Sequence, residues 1–316
     1  MDLIEEIVSG SQRAVARAIS VVENELPGWM ALMKSVYPHT GRAYTVGFTG
    51  PTGSGKSTLV DRVARLLCDR GFSVGVVAVD PSSPFTHGAL LGDRVRMHDM
   101  LTGANVFFRS LGTRGGLGGL SRATSDVVKI LDASGKEFIL IETIGIGQDE
   151  IDIVKVADSS IVISVPGLGD DIQTIKAGIM EIGDIFVVNK ADREGADQVV
   201  AMLTTMLGLG SGAGSWKQPV IKTVATERQG VPELLEQILA HRTHLTASDL
   251  LEAKRRERIG RDITKIIERR IAQYVYGQIQ GMQSLDHLIE LISSRKEDPY
   301  SCAERLLTVL EKRGDG

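Results

Sequence analysis

The hydrophobic positions along the chain change period twice. Over residues 2–36 they recur every three or four places: Leu3, Ile4, Ile7 and Val8, then Ala14, Val15, Ala18, Ile19 and Val22. This spacing predicts two or three short helices, the third starting at Pro27. From Tyr44 to about Val224, short β-branched runs alternate with helical stretches, the signature of a parallel sheet covered on both faces. The predicted strands are YTVGFT (44–49), FSVGVVAV (72–79), a weaker NVFF (105–108), FILIE (138–142), SSIVISV (159–165), DIFVVN (184–189) and PVIKTVA (219–225). Past GVPELLEQILAHR, residues 246–312 carry no strand pattern and predict a long helix followed by two shorter ones, broken near Asp298 and Pro299. The expected division is an N-terminal helical extension (1–42), an α/β domain with a mostly parallel central sheet (43–245), and a C-terminal helical arm (246–316).

Composition narrows the function classes. With 42% hydrophobic and 24% charged residues in 316, a buried core is feasible. Only 4% aromatic residues and a net charge of −4 argue against base-stacking platforms and against long-range attraction to nucleic acid or an anionic membrane. The basic run AKRRERIGR (253–261) includes Glu257 and leads into Ile259, Ile263, Ile266 and Ile267, so it reads as a solvated helix face or a partner-binding one. Two cysteines, Cys68 and Cys302, make no disulfide framework, and Cys68 within LVDRVARLLCDRG reads as a packed free thiol suited to a reducing cytosol. The segment MDLIEEIVSG has acids where a signal peptide carries bases, and no apolar run approaches the roughly 18 residues of a membrane span. A cytoplasmic location is expected.

The candidate chemistry starts at GPTGSGKST, Gly50 to Thr58, placed directly after one predicted strand and before an amphipathic helix. That context makes it a phosphate-binding loop, and the fold a P-loop NTPase. Gly50, Gly53 and Gly55 let the backbone N–H groups turn inward around a polyphosphate, with Pro51, Thr52 and Ser54 completing the nucleotide-binding loop. Lys56 reaches the β and γ phosphates, the Ser57 hydroxyl is a magnesium ligand, and Thr58 closes the motif. The tetrapeptide NKAD, Asn189 to Asp192, follows another strand. There the Asp192 carboxylate can accept from both N1–H and N2–H of guanine, a donor pair that adenine lacks, while Asn189 and Lys190 brace the loops. TVAT (223–226) would offer the Ala225 amide to guanine O6.

Three acids are candidates around the metal. Asp80 ends a strand and opens DPSSP, as a site carboxylate or as the start of an Asx turn before Pro81. Asp93 follows in LLGDRVRM, and Glu142 closes FILIE where such strands usually end in aspartate. Magnesium keeps several waters and needs few protein oxygens, so the longer glutamate is tolerable when other acids share its surroundings. Lys56, Asp80, Asp93 and Glu142 are thus the expected catalytic set, with Ser57, Asp80, Asp93 and Glu142 around the metal. Gly145 in ETIGIG could sense the γ-phosphate through its amide. Gln148 does not directly follow that glycine, so slow basal hydrolysis raised by a partner is expected. The stretch PGLGDDIQTIKAGIMEIGD (166–184), bearing Asp170, Gln173 and Lys176, reads on spacing alone as either a plain loop or a further switch.

Together TGPTGSGKSTL, AVDPSSPFTHGALLGDRVRM, GGLGGLSRAT, IETIGIGQDE, PGLGDDIQTIKAGIMEIGD, NKAD and DPYSCAERLL resemble the methylmalonyl-CoA mutase-associated GTPases of the MeaB/ArgK type, over about residues 8–310. In that family glutamate is usual at the position of Glu142. The resemblance implies a homodimeric chaperone that uses GTP binding and hydrolysis to gate adenosylcobalamin delivery to an acyl-CoA mutase. It implies magnesium and GTP/GDP as ligands, and the chain carries no cobalamin-binding motif of its own. It also implies that Gln148, Asp170, Gln173 and Lys176 couple nucleotide state to the mutase, and that the arm from 246 onward dimerises. Two departures stand out: the proline sits at position 51 instead of the next one, and TVATERQG differs from the usual serine-alanine guanine loop.

Three rival readings differ in testable ways. A GTPase metallochaperone for a nickel enzyme would need borderline ligands, whereas the six histidines are scattered and His241 and His244 read as a partly exposed pair on one helix face. A nucleotide-dependent scaffold would show negligible turnover. A transport-associated kinase or ATPase conflicts with NKAD.

Overall fold

A computed structural model describes residues 2–80, 106–112, 123–143, 153–167, 177–210, 216–282 and 285–304. The chain divides into two compact units, residues 1–254 and 255–316. In the first, helices α1 (Leu3–Val8), α2 (Gln12–Glu23) and α3 (Trp29–Val36) precede β1 (Tyr44–Thr49) and α4 (Lys56–Asp69). There follow β2 (Val74–Asp80), β3 (Val106–Gly112), α5 (Thr124–Ala133), β4 (Phe138–Glu142) and β5 (Ser159–Ser164). Then come α6 (Ala177–Ile182), β6 (Ile185–Asn189), α7 (Ala196–Gly210), β7 (Val220–Thr223) and α8 (Val231–Ala247). The third helix starts at Trp29, two residues later than expected, behind a left-handed Gly28 at φ 90°.

The seven strands lie in the order β3-β2-β4-β1-β5-β6-β7, and all six pairings are parallel, as the alternation of strand and helix patterns predicts. Period-two alternation sorts each strand between two cores. Phe138 and Leu140 of β4 face α4 and α8, packing with Leu59, Val63, Leu67, Leu234 and Ile238. Ile139 and Ile141 point the other way, onto α5 and the N-terminal helices through Ile130, Leu131, Val15 and Ile19. Beside them, Phe186 and Val188 of β6 pack under α7 against Val199 and Leu203.

The link from α3 into β1 is held by one carboxylate. Asp132 of α5 accepts the backbone N–H groups of Gly41, Arg42 and Ala43 at 2.5, 3.2 and 3.0 Å, which anchors the helical layer to the start of the central strand. Because β1 is central and its successors lie on opposite sides of it, its C-terminal end opens into the crevice between β4 and β5, where open α/β sheets bind ligands.

A long helix α9 (Leu250–Met282) begins in the first unit; the second contains the rest of it, α10 (Leu285–Ser293) and a helical segment from 299 to at least 304. Asp298 caps that last segment, accepting the N–H groups of Tyr300 and Ser301 at 2.9 Å each. Proline 299 therefore sits just inside a helix start, where its missing N–H costs nothing. Among the described residues no helix is long and apolar enough to cross a membrane.

Candidate functional site

Parallel strands deliver their C-terminal residues to one edge, and the sequence places its chemistry there. After β1 the chain enters the glycine loop and turns directly into α4. Gly50 has φ +143°, and an added Cβ would lie 2.2 Å from the Ile163 carbonyl oxygen, so β5 leaves no room for any side chain. Gly55, at φ +88°, would drive a Cβ to 2.4 Å from Asn189 Nδ2. The loop is thus wedged between β5 and the turn after β6. Inside it, the Lys56 ammonium, 6% exposed, donates to the carbonyls of Gly50 and Pro51 at 2.8 and 2.9 Å. That folds the lysine stem over its own loop, its head directed at the first turn of the cradle. The Ser54 side chain is buried and Thr52 lies at the surface.

Ser57, in the first turn of α4, donates its hydroxyl to Glu142 Oε1 at 2.5 Å. Glu142, 8% exposed, is thereby brought to the mouth of the loop from the neighbouring strand β4. A hydroxyl that gives its proton away retains lone pairs for a cation, so the pair offers two kinds of oxygen at one point. These are hard donors, and the set fits magnesium. Strand β2 pairs with β4 in the register Ala78↔Glu142 and ends two residues later at Asp80, so its backbone arrives at the same edge. The Asp80 side chain, Asp93, Gly145, Gln148, Asp170, Gln173 and Lys176 lie outside the described residues.

Asn189, 2% exposed, ties three segments together. Its Nδ2 donates to the Ser54 carbonyl at 2.7 Å, and its Oδ1 accepts from Thr223 Oγ1 at 3.0 Å and from the Ala225 N–H at 3.2 Å. Lys190 adds a second strut, Nζ to the Gly53 carbonyl at 2.7 Å. It does so from a left-handed backbone, φ 55°, a conformation that costs a non-glycine residue about 1–2 kcal/mol and concentrates at functional loops. Asp192, two residues on, is exposed in the turn before α7 with no hydrogen-bond partner among the described residues. The Ala225 amide donates to Asn189, so offering it to a base would mean sharing that hydrogen.

A second polar cluster lies at the opposite, N-terminal edge of the sheet. Tyr44 Oη and Ser159 Oγ are 2.5 Å apart, Ser159 Oγ lies 2.6 Å from His241 Nδ1, and His241 Nε2 lies 3.6 Å from Asp184 Oδ1. Trp216 packs at a tilt against both His241 and His244, ring centroids 4.7 and 5.4 Å away, while the two imidazoles lie nearly parallel at 6.5 Å. His241 is therefore buried, not partly exposed, and burial pushes its pKa down to about 4 despite the nearby Asp184 carboxylate. Burial likewise raises the Tyr44 phenol. Among the described residues no group of three or more His, Cys, Asp or Glu side chains could hold a metal ion. The helical spacing of 241 and 244 predicted a shared face correctly, but the covering tryptophan comes from a separate segment that spacing does not report.

A glycine cradle at the end of a central parallel strand, a lysine closing it, and a serine–glutamate pair at its mouth define a P-loop nucleotide-binding protein. Residues 15–280 match the family model described as methylmalonyl-CoA mutase-associated GTPase MeaB. The chain belongs to that family and is a P-loop GTPase. A Pyrococcus horikoshii protein named as a GTPase is 49% identical over 97% of this chain and 96% of its own length. GTPase ArgK of Escherichia coli is 32% identical over 86% and 85%. The crystal structure of a LAO/AO transport system kinase superposes with a TM-score of 0.71 at 23% identity, covering 98% of this chain and 96% of that one, a likeness of fold.

Proposed function

We propose that this GTPase is a chaperone for an adenosylcobalamin-dependent acyl-CoA mutase, methylmalonyl-CoA mutase or a close relative, gating loading and protection of the mutase's cofactor. The observation that carries this reading is the convergence at one sheet edge of Lys56, the Ser57–Glu142 pair and the Asn189 brace, in a chain matched to a mutase-associated family over residues 15–280. In this reading the backbone N–H groups of the loop 50–58, all but that of Pro51, which has none, hold the phosphates of GTP, and Lys56 swings from its carbonyl partners toward the β and γ oxygens. Ser57 and Glu142, with Asp80 and Asp93, hold magnesium, which when bound neutralises developing phosphate charge. Asp192 reads the guanine N1–H and N2–H edge, the Ala225 amide faces O6, and Asn189 and Lys190 fix both loops against the phosphate cradle. Gly145 senses the γ-phosphate, and Gln148 and the segment 166–181, with Asp170, Gln173 and Lys176, transmit the nucleotide state to the client. The arm from 246 onward pairs with a second copy.

The test is GTP hydrolysis by the purified protein alone and with candidate B12-dependent mutases, using ATP as control. Acceleration of at least several-fold by a mutase, with little turnover of ATP, is the expected outcome. GTP turnover that no acyl-CoA mutase changes would remove the client assignment and leave the GTPase.

A further inference from the structure

The strand β7 ends at Thr223, and a single 3-10 turn over Ala225–Glu227 follows, closed by an isolated antiparallel bridge in which the Val224 N–H donates to the Gln229 carbonyl at 3.0 Å. Within this short turn the Ala225 peptide is open to side chains that can fix its direction. Two do, from opposite sides. Asn189 accepts the Ala225 N–H, as described above, while Arg62 of α4 donates its Nε to the Ala225 carbonyl at 3.3 Å, alongside the Arg228 N–H at 3.4 Å. Arg62 is not free to wander. It is 25% exposed, and its Nη1 lies 3.6 Å from Oδ2 of Asp61, a carboxylate 1% exposed that also accepts from Arg65 Nε at 2.9 Å. The buried acid is thus an ion-pair neighbour of the guanidinium at 3.6 Å, and the guanidinium hydrogen-bonds the Ala225 carbonyl.

We propose that Arg62 is a positioning residue for base recognition, holding the Ala225 peptide so that its amide meets the guanine C6 carbonyl while the same helix holds the phosphates. Arg62 lies six residues beyond Lys56 on one continuous helix, roughly 9 Å along it. The cradle and the base loop are therefore linked through one rigid element, which keeps the two ends of the nucleotide at a set distance. A guanidinium suits the task because its planar fork can face a carbonyl and a carboxylate at once, which a lysine ammonium cannot do with the same geometry. The inference rests on the reading that Ala225 faces the base. It adds a residue outside the phosphate and guanine motifs, at a helix position to which the sequence pattern assigns no chemistry.

The test compares affinities of the full-length protein for GDP, 6-thio-GDP, which replaces O6 with a weak acceptor, and IDP, which lacks the 2-amino group. The wild type should prefer GDP over both. Arg62→Ala should weaken GDP by about five- to tenfold, leave 6-thio-GDP nearly unchanged, and keep the penalty against IDP. KM for GTP should rise in step, with kcat at saturation held. Arg62→Lys should fold and show a smaller loss in the same direction, and it carries the test if the alanine variant does not fold. A wild type indifferent to the sulfur removes the Ala225 reading and this inference with it. A wild-type preference for oxygen that Arg62→Ala retains in full, or an equal loss for all three nucleotides, overturns the inference alone.

Discussion

His241 is where single-residue chemistry has the clearest consequence for the molecule. Its ring is buried against Trp216 and bonded to Ser159, and burial holds its pKa near 4, well below the ordinary histidine value of about 6.5. Between these values the unfolded chain takes up a proton that the folded one refuses, so stability rises with pH across that window. Stability from the neutral ring is complete above the unfolded pKa and is lost as pH falls toward 4, by on the order of 3 kcal/mol. Thermal melts of the wild type and His241→Asn from pH 7.5 to 4.5 should therefore show the variant well below the wild type at neutral pH and the gap closing toward acid. A constant gap would mean that the ring gives up no proton-linked stability. At this scale the sequence was informative about chemistry more than about surroundings. The lysine of the phosphate loop is recognisable from spacing, because a glycine loop between a strand and a helix forces its place, and Lys56 stands there at the start of α4. Arg62 was not legible as anything but a helix surface position, because the carbonyl it grips is 163 residues away.

Elements show why some boundaries were readable and others were not. FILIE and YTVGFT are buried along their whole length, and each begins and ends where its apolar run does. NVFF was legible only in part: β3 continues through Arg109 and Ser110 to Gly112. Arg109 is tolerated in the strand because Glu23 and Ser20 of α2 receive its guanidinium at 2.6 and 3.2 Å, a tertiary partner that no local pattern contains. PVIKTVA overruns β7 by Pro219 at its start and by two residues at its end, since the chain leaves β7 at Thr223 to make the turn that Asn189 and Arg62 hold. Asn189 is thus the hinge pin of three elements, the end of β6, the glycine loop and the turn after β7. Asn189→Ala would leave the Ser54 carbonyl, the Thr223 hydroxyl and the Ala225 N–H without this partner at a buried site, at about 1–3 kcal/mol for each group left unsatisfied. The expected outcome is a chain that folds with a lowered Tm and binds guanine nucleotide at least tenfold more weakly, with Asn189→Asp no better, since its carboxylate would face the Ser54 carbonyl oxygen in place of the donating amide. Unchanged affinity in a destabilised Asn189→Ala would restrict the residue to packing.

At the scale of the whole molecule, α9 carries an exposed apolar stripe among the described residues. Ile259, Ile263, Ile266, Ile267, Ile271 and Tyr274 are between 44% and 57% exposed, and they recur at three- and four-residue steps along a helix of 33 residues. Scattered apolar residues are normal on a surface, but a continuous stripe at helical period is what a helix presents to another helix. The flanking positions carry both signs, Arg255, Arg256, Glu257, Arg258, Arg261, Asp262, Lys265 and Glu268, which suits the rim of a seam better than a lipid or nucleic-acid surface. A second copy would present the same stripe, so an isologous pairing closes without leaving a free face. Fully burying one such isoleucine is worth about 1.5–3 kcal/mol, and several acting together reach the range of a stable dimer. The full-length protein is therefore expected to sediment as a dimer at micromolar concentration, and the double variant Ile263→Asp, Ile267→Asp as a monomer, since two carboxylates in an apolar seam must be desolvated together. Neither residue lies near Lys56, Ser57 or Glu142 in sequence or belongs to the first compact unit, so GTP turnover per chain without mutase should persist in the monomer. Acceleration by the mutase then becomes informative: if it also persists, one chain suffices to engage the client, and if it disappears, the client needs both copies. A wild type that sediments as a monomer would leave the stripe to some other partner and remove the dimer from the proposed function.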